Sequence, residues 1–235
     1  MKTLIASAVC ALFSAVTYAG YTNESELGIL IAKGNSDSES WNVKETAGLI
    51  WDELNLLKFT GRYLQTKSKN VENARYWSGG LRYDRSLSER LGVFIGEIIE
   101  SDKYAGYNQK YNSDIGARYS LIKETKLIWN AEIGYRYTVE NQLTEVQKKL
   151  NYIRGYTEAI KNWTSDVSTK LWFEYLPNLT VASDYQMNSE LSITAAFNNI
   201  FSIKTGYLLR YDNLPNAGAV AKTDTLLTTA LVAKF

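Results

Sequence analysis

The sequence contains no histidine at all. That removes Ser-His and Cys-His nucleophilic centres, His-dependent proteolysis and imidazole-based metal sites together. Cysteine is nearly as scarce: Cys10 is the single example, and it lies in the opening apolar stretch, so neither a disulfide framework nor thiol chemistry is expected beyond it. There are two prolines, Pro177 and Pro215. Past residue 19 no run of 18 apolar residues occurs, so no transmembrane helix is expected. Charge of one sign is also missing, because 26 Lys and Arg face 25 Asp and Glu, and a net charge of +1 argues against nucleic acid as the main partner.

What the chain does have is tyrosine (17) and tryptophan (6), with apolar and polar residues in long alternation. Leu127 to Glu140, LIWNAEIGYRYTVE, is the clearest case. Leu127, Trp129, Ala131, Ile133, Tyr135, Tyr137 and Val139 fall on one face of a strand; Asn130, Glu132, Arg136 and Glu140 fall on the other. The nine residues from Trp129 to Tyr137 rise roughly 26 Å, or about 20 Å of height at a tilt of about 40°, near the apolar band of an outer-membrane barrel.

The pattern recurs every ~18 residues, the length of a spanning strand and its turn. Twelve segments result: Glu26 to Lys33, Glu39 to Trp51, Asn55 to Thr66, Glu72 to Arg85, Leu91 to Glu100, Gln109 to Leu121, Leu127 to Glu140, Lys148 to Ile160, Asp166 to Tyr175, Ser183 to Ala196, Phe201 to Tyr211 and Thr223 to Phe235. Both prolines fall between segments, where a missing N–H donor harms no ladder. Connections after even-numbered segments are short, whereas those after odd-numbered segments are mostly longer and more polar, including Lys67 to Asn70. These features predict an all-β protein: a transmembrane, antiparallel, up-and-down β-barrel of about 12 strands, with short periplasmic turns and longer extracellular loops. A soluble sandwich explains the alternation equally well but not strands of this length repeated twelve times.

Met1 to Ala19, with Lys2, the apolar run Leu4 to Val16 and the small-residue end Thr17-Tyr18-Ala19, reads as a secretory signal cleaved before Gly20, leaving residues 20–235 as the barrel. Two aromatic girdles are expected: Trp51, Trp129, Trp163, Phe197, Phe201 and Phe235 at the turn end, and Tyr104, Tyr107, Tyr137, Tyr175 and Tyr211 at the loop end. Lipid exposure of a cation near the midplane costs about 2–4 kcal/mol, so the strand charges belong inside. The expected lumen-lining set is Arg62, Arg82, Asp84, Arg118, Glu132, Arg136, Lys170, Glu174, Lys204 and Arg210. The facing of Leu91 to Glu100 is ambiguous, since either choice puts Glu97 or Glu100 on the apolar side. Carboxylates such as Glu132, Glu140, Glu158 and Asp212 sit among lumenal Arg and Lys, a pattern of paired charges more than of acid/base chemistry. No catalytic residue, cofactor or metal is therefore expected, and no loop looks long enough to plug the lumen.

Several stretches resemble the family of salt-induced outer-membrane proteins, a domain of unknown function. They are Lys33-Gly34-Asn35-Ser36-Asp37, Leu81-Arg82-Tyr83-Asp84 with Leu87-Ser88-Glu89-Arg90, Tyr104-Ala105-Gly106-Tyr107, and Tyr211-Asp212-Asn213 with Lys222-Thr223-Asp224-Thr225. The resemblance implies a Gram-negative outer-membrane barrel linked by name to salt or osmotic response, and it brings no catalytic residues. Expected partners are outer-membrane lipids and lipopolysaccharide, with the barrel-assembly machinery during insertion; the ending Leu231-Val232-Ala233-Lys234-Phe235 resembles the terminal signal of such barrels. Two non-enzymatic roles follow, an envelope protein serving integrity under salt stress or a passive channel for small solutes; a lipid-active enzyme is the remote alternative. With lumenal charges in balance, no strong ion selectivity is expected.

Overall fold

A computed structural model describes residues 19–32, 37–144, 146–216 and 221–235. The expected signal, Cys10 and the Gly34-Asn35-Ser36 turn lie outside them, apart from Ala19, which opens the first strand. Twelve strands follow in order: β1 (Ala19–Ala32), β2 (Ser38–Trp51), β3 (Asn55–Ser68), β4 (Val71–Ser86), β5 (Leu91–Asp102), β6 (Tyr107–Lys123), β7 (Leu127–Gln142), β8 (Gln147–Asn162), β9 (Val167–Pro177), β10 (Tyr185–Ala196), β11 (Phe201–Asp212) and β12 (Thr223–Lys234). Each pairs antiparallel with its sequence neighbours, and β1 pairs with β12, closing the barrel.

Closure is uneven around the ring. β1 and β2 are in register over the whole of β1, from Ala19↔Trp51 to Ala32↔Ser38. The β1–β12 seam runs only from Glu24↔Lys234 to Leu27↔Leu231, extended by a reciprocal backbone pair between Asn23 and Phe235 (3.0 Å each way). Ile29 to Ala32 have no partner on β12.

Alternation fixes which side chains point where, and the outcome inverts a soluble protein. Outward positions are apolar and open: Ile133 is 66% exposed, Ile115 57% and Leu81 53%. Buried positions include Arg136, Arg154, Glu140 and Glu174. An apolar belt of this extent calls for hydrocarbon around it. In β5, Gly92, Phe94, Gly96 and Glu100 face inward, while Val93, Ile95 and Glu97 face outward. Glu97 accepts a hydrogen bond from Ser113 Oγ on β6 (2.5 Å), and Glu45, also outward, accepts from Ser25 Oγ (2.6 Å) and Asn23. Each of these mid-strand carboxylates is thus supplied with donors from the adjoining strand.

Two connections differ from expectation. The β3–β4 link is not a loop but a tight turn, with Lys69 (φ 49°) and Asn70 (φ 62°) both left-handed, the pairing of a type I′ hairpin. Its shortness breaks the rule of long outside loops. Tyr107 does not join the outer girdle: it is 4% exposed and lines the interior. A register shift between Tyr107 and Gln109 inserts one extra residue, which flips the side of everything before it. The other girdle positions lie outside or at the rims. Trp129, Phe201 and Tyr175 are about 41% exposed, and Trp163, Phe197 and Phe235 more so. Trp51 stacks on Tyr83 with ring centroids 5.9 Å apart, and Tyr211 reaches Tyr175 through Tyr185 in an outer-rim row. Tyr104 donates from its loop to the carbonyl of Glu72 (2.7 Å), and Tyr137 is half-buried on the outward face of β7.

Candidate functional site: the charged lumen

One wall of the interior is carved by small residues. Gly96, Gly116 and Gly134 are the inward positions of β5, β6 and β7, with Gly116 directly opposite Gly134. A Cβ on Gly116 would sit 2.5 Å from the Ile133 carbonyl oxygen and 2.7 Å from Cζ of Phe94. The absent side chains let the Phe94 ring lie against the wall, where Arg82 (3.9 Å from guanidinium carbon to ring centroid) and Arg154 (5.8 Å) cover it. Gly116→Ala is expected to destabilise the barrel by about 1–3 kcal/mol through overpacking, measured by urea unfolding in vesicles. Gly79→Ala, on the outward face with nothing within 4 Å, serves as the tolerated control.

On that platform runs a belt of alternating charge. Asp84 binds Arg82 (2.7 Å), Arg82 binds Glu132 (2.7 Å), and Glu132 accepts from Arg154 (2.6 Å). Arg154 reaches Glu174 (2.6 Å), Glu174 also accepts from Arg136 (3.3 Å), and Arg136 grips Asp114 through two nitrogens, each at 2.7 Å. Asn188 completes Glu174 (2.9 Å). Planar guanidinium forks suit such a chain because each can hold two carboxylates.

Of the expected lumenal residues, Arg82, Asp84, Glu132, Arg136 and Glu174 therefore meet in one network. Lys204 lies apart, bound to Glu26 (2.8 Å) with Lys44 on the same oxygen (3.2 Å). Lys170 pairs with Glu158 (2.6 Å). Arg62 and Arg210 converge on Tyr76, and Arg118 lies beside Gly92 with its Nε buried and unpartnered. Sequence reasoning missed Asp114 and Arg154, although both fall on the polar side of alternating strands and were findable by that parity. Nothing in the sequence marks Phe94 or Tyr76 as interior platforms. Among the described residues no group of three or more potential metal ligands occurs.

The space left forms a cavity of about 850 Å³. It extends from Ala105, Asn216 and Lys222 at the loop rim down to Leu56, Arg118 and Asn130 toward the turn end. Its outer mouth is crossed by side-chain hydrogen bonds from one residue of a connection. Asn216, in the β11–β12 connection, donates to Glu140 (2.7 Å), accepts from Lys148 (2.9 Å) and from Gln142, and points its amide at the Ala105 carbonyl (3.5 Å). β7, β8 and the β5–β6 loop are thus tied to a connection rooted far around the ring. An Asn inside a polar connection carries no sequence sign of this reach.

Comparison with known proteins places this architecture. The profile of the family described as "Protein of unknown function, DUF481" matches residues 25–235. No curated protein matches. Among solved structures, the chain is similar to an outer membrane channel from Pseudomonas putida F1, with TM-score 0.55 and 9% identity over 94% of this chain and 97% of that one. It is similar also to the NanC porin, with TM-score 0.51 and 8% identity over 91% of this chain and 97% of the other. At such identities the likeness is one of fold. The fold is that of a porin-like barrel of the bacterial outer membrane.

Proposed function

The chain belongs to the family described as Protein of unknown function, DUF481, and from that membership and its porin-like fold we propose that it is a non-enzymatic, passive channel for small polar solutes. The observation that carries this reading is the cavity of about 850 Å³, lined by many charged side chains, from the loop rim to the turn-end half of the lumen. The belt residues Arg82, Asp84, Asp114, Glu132, Arg136, Arg154 and Glu174 all line this cavity. Residues 1–19 act in this reading as the export signal, and lipid and lipopolysaccharide contact the apolar exterior.

Single-channel recording of the refolded protein in planar bilayers is the test. Stepwise conductance is expected; a barrel that refolds, shifts on a gel with heating and stays electrically silent refutes the channel. The Asn216 contacts add a second expectation. Removing four side-chain hydrogen bonds of about 0.5–1.5 kcal/mol each should raise the population of the uncrossed mouth about tenfold or more. Asn216→Ala is therefore expected to spend more time at the higher conductance level, and identical open and closed dwell times in wild type and variant would dismiss the latch.

A second reading has its own support: the ion-pair belt braces the barrel wall, as an envelope protein under salt or osmotic stress would need. In that case conductance is absent while loss of the protein lowers survival in high salt.

A further inference from the structure

Once the ion pairs are drawn, four of the cavity-lining cations carried on strands have no carboxylate oxygen within 4.0 Å among the described residues: Lys58, Arg62, Arg118 and Arg210. All four line the same cavity. The balance of charge read from composition is thus not the balance a solute meets, because pairing cancels the acids first.

Two of these cations come together. Arg62 from β3 and Arg210 from β11, four strands apart around the ring, both lie over Tyr76, with guanidinium carbons 5.9 and 4.7 Å from the ring centroid. Of the neighbouring acids, Asp224 stands opposite Arg210 in the β11–β12 register without an ion pair to it, Asp102 accepts from the Tyr104 and Ala105 amides, and three more are occupied. Glu100 accepts from the Tyr76 hydroxyl (2.8 Å) and Asn112 (3.5 Å), Glu26 holds Lys44 and Lys204, and Glu190 faces Lys204 (3.7 Å). Among the described residues, the one side-chain hydrogen bond from Arg62 goes to neutral Asn42 (3.4 Å). Two guanidiniums held over one aromatic ring repel each other, and an anion taken up beside them relieves that repulsion.

We infer that Arg62 and Arg210, positioned by Tyr76, form a lumenal binding site for a small oxyanion, a carboxylate or a phosphate. Access to the site rests on the channel reading. Bound there, an anionic solute crosses by exchanging water for two planar forks, and cations of similar size find only the paired belt.

The test is calorimetric titration of the refolded barrel in detergent at low salt, with inorganic phosphate in one arm and glucuronate in the other. Saturable binding is expected in at least one arm, and the arm that binds names the anion. R62Q and R210Q should each weaken it about tenfold, the loss of one charged hydrogen-bonding group. R118Q, which removes an unpaired cation from the same cavity but away from Tyr76, should leave it nearly unchanged. R62K and R210K keep the charge but not the fork, and should also bind more weakly; they serve if the glutamine variants do not refold. No titration by either anion, or an R118Q loss as large as that of R62Q, overturns the site. Bilayers that stay silent while phosphate titrates sink the channel and spare the site, whereas conductance without titration does the reverse.

Discussion

Glu174→Ala is expected to cost about 3–5 kcal/mol of folding stability, because it takes one carboxylate from each of two buried guanidiniums at once, leaving Arg154 only Glu132 and Arg136 only Asp114 at hydrogen-bond distance. Glu174 accepts from Arg154 at 2.6 Å, from Arg136 at 3.3 Å and from Asn188 at 2.9 Å, and is itself buried. Coulomb attraction alone does not set this number. Leaving two buried cations with less compensating charge is the larger cost, so removing the shared acid is worse than removing one of its partners. Urea unfolding in lipid vesicles, followed by tryptophan fluorescence, provides the measurement. Lys170→Ala is the contrast: its side chain is 40% exposed against Glu158, and the loss should stay near or below ~1 kcal/mol. Equal, small effects at both positions would mean that bulk water screens the belt.

Ile133→Arg tests the lipid placement itself. Ile133 lies mid-strand on the outward face of β7 and is 66% exposed. In water an exposed Ile exchanged for Arg changes stability by about 0.5 kcal/mol or less. At the bilayer midplane the same exchange costs about 2–4 kcal/mol. Leu143→Arg, beyond the end of β7 and 44% exposed, should cost no more than about 1 kcal/mol. Unfolding free energies in vesicles that fail to separate the two variants would remove hydrocarbon from around Ile133.

The strands were legible because alternation is a local signal and every segment after the first repeats it for ten residues or more. The first began too late on sequence reasoning, at Glu26 and not Ala19, for a reason visible in the structure. Asn23 and Ser25 point outward to Glu45, and polar outward residues erase the period-two pattern. Facing was legible wherever a cation fixed it, as at Arg82 and Arg136. In β5 no cation did, and only the pairing partners settle Glu97 and Glu100. The belt was not legible as a network. Arg82 and Glu132 are 50 positions apart and meet because a glycine-lined wall and one phenylalanine lie between them. Tyr107 was misassigned because a bulge counts one extra residue, which no composition or periodicity announces.

The shortness of the β1–β12 seam bears on how the molecule comes into being. Every other junction is a hairpin whose strands adjoin in the chain, so each forms at small entropic cost. The clasp between Asn23 and Phe235 must wait until the intervening ribbon has curled right round, and it then has few rungs to hold it. The wall is therefore a rolled sheet with a built-in first point of parting, and whatever loosens the cylinder begins where its two ends meet.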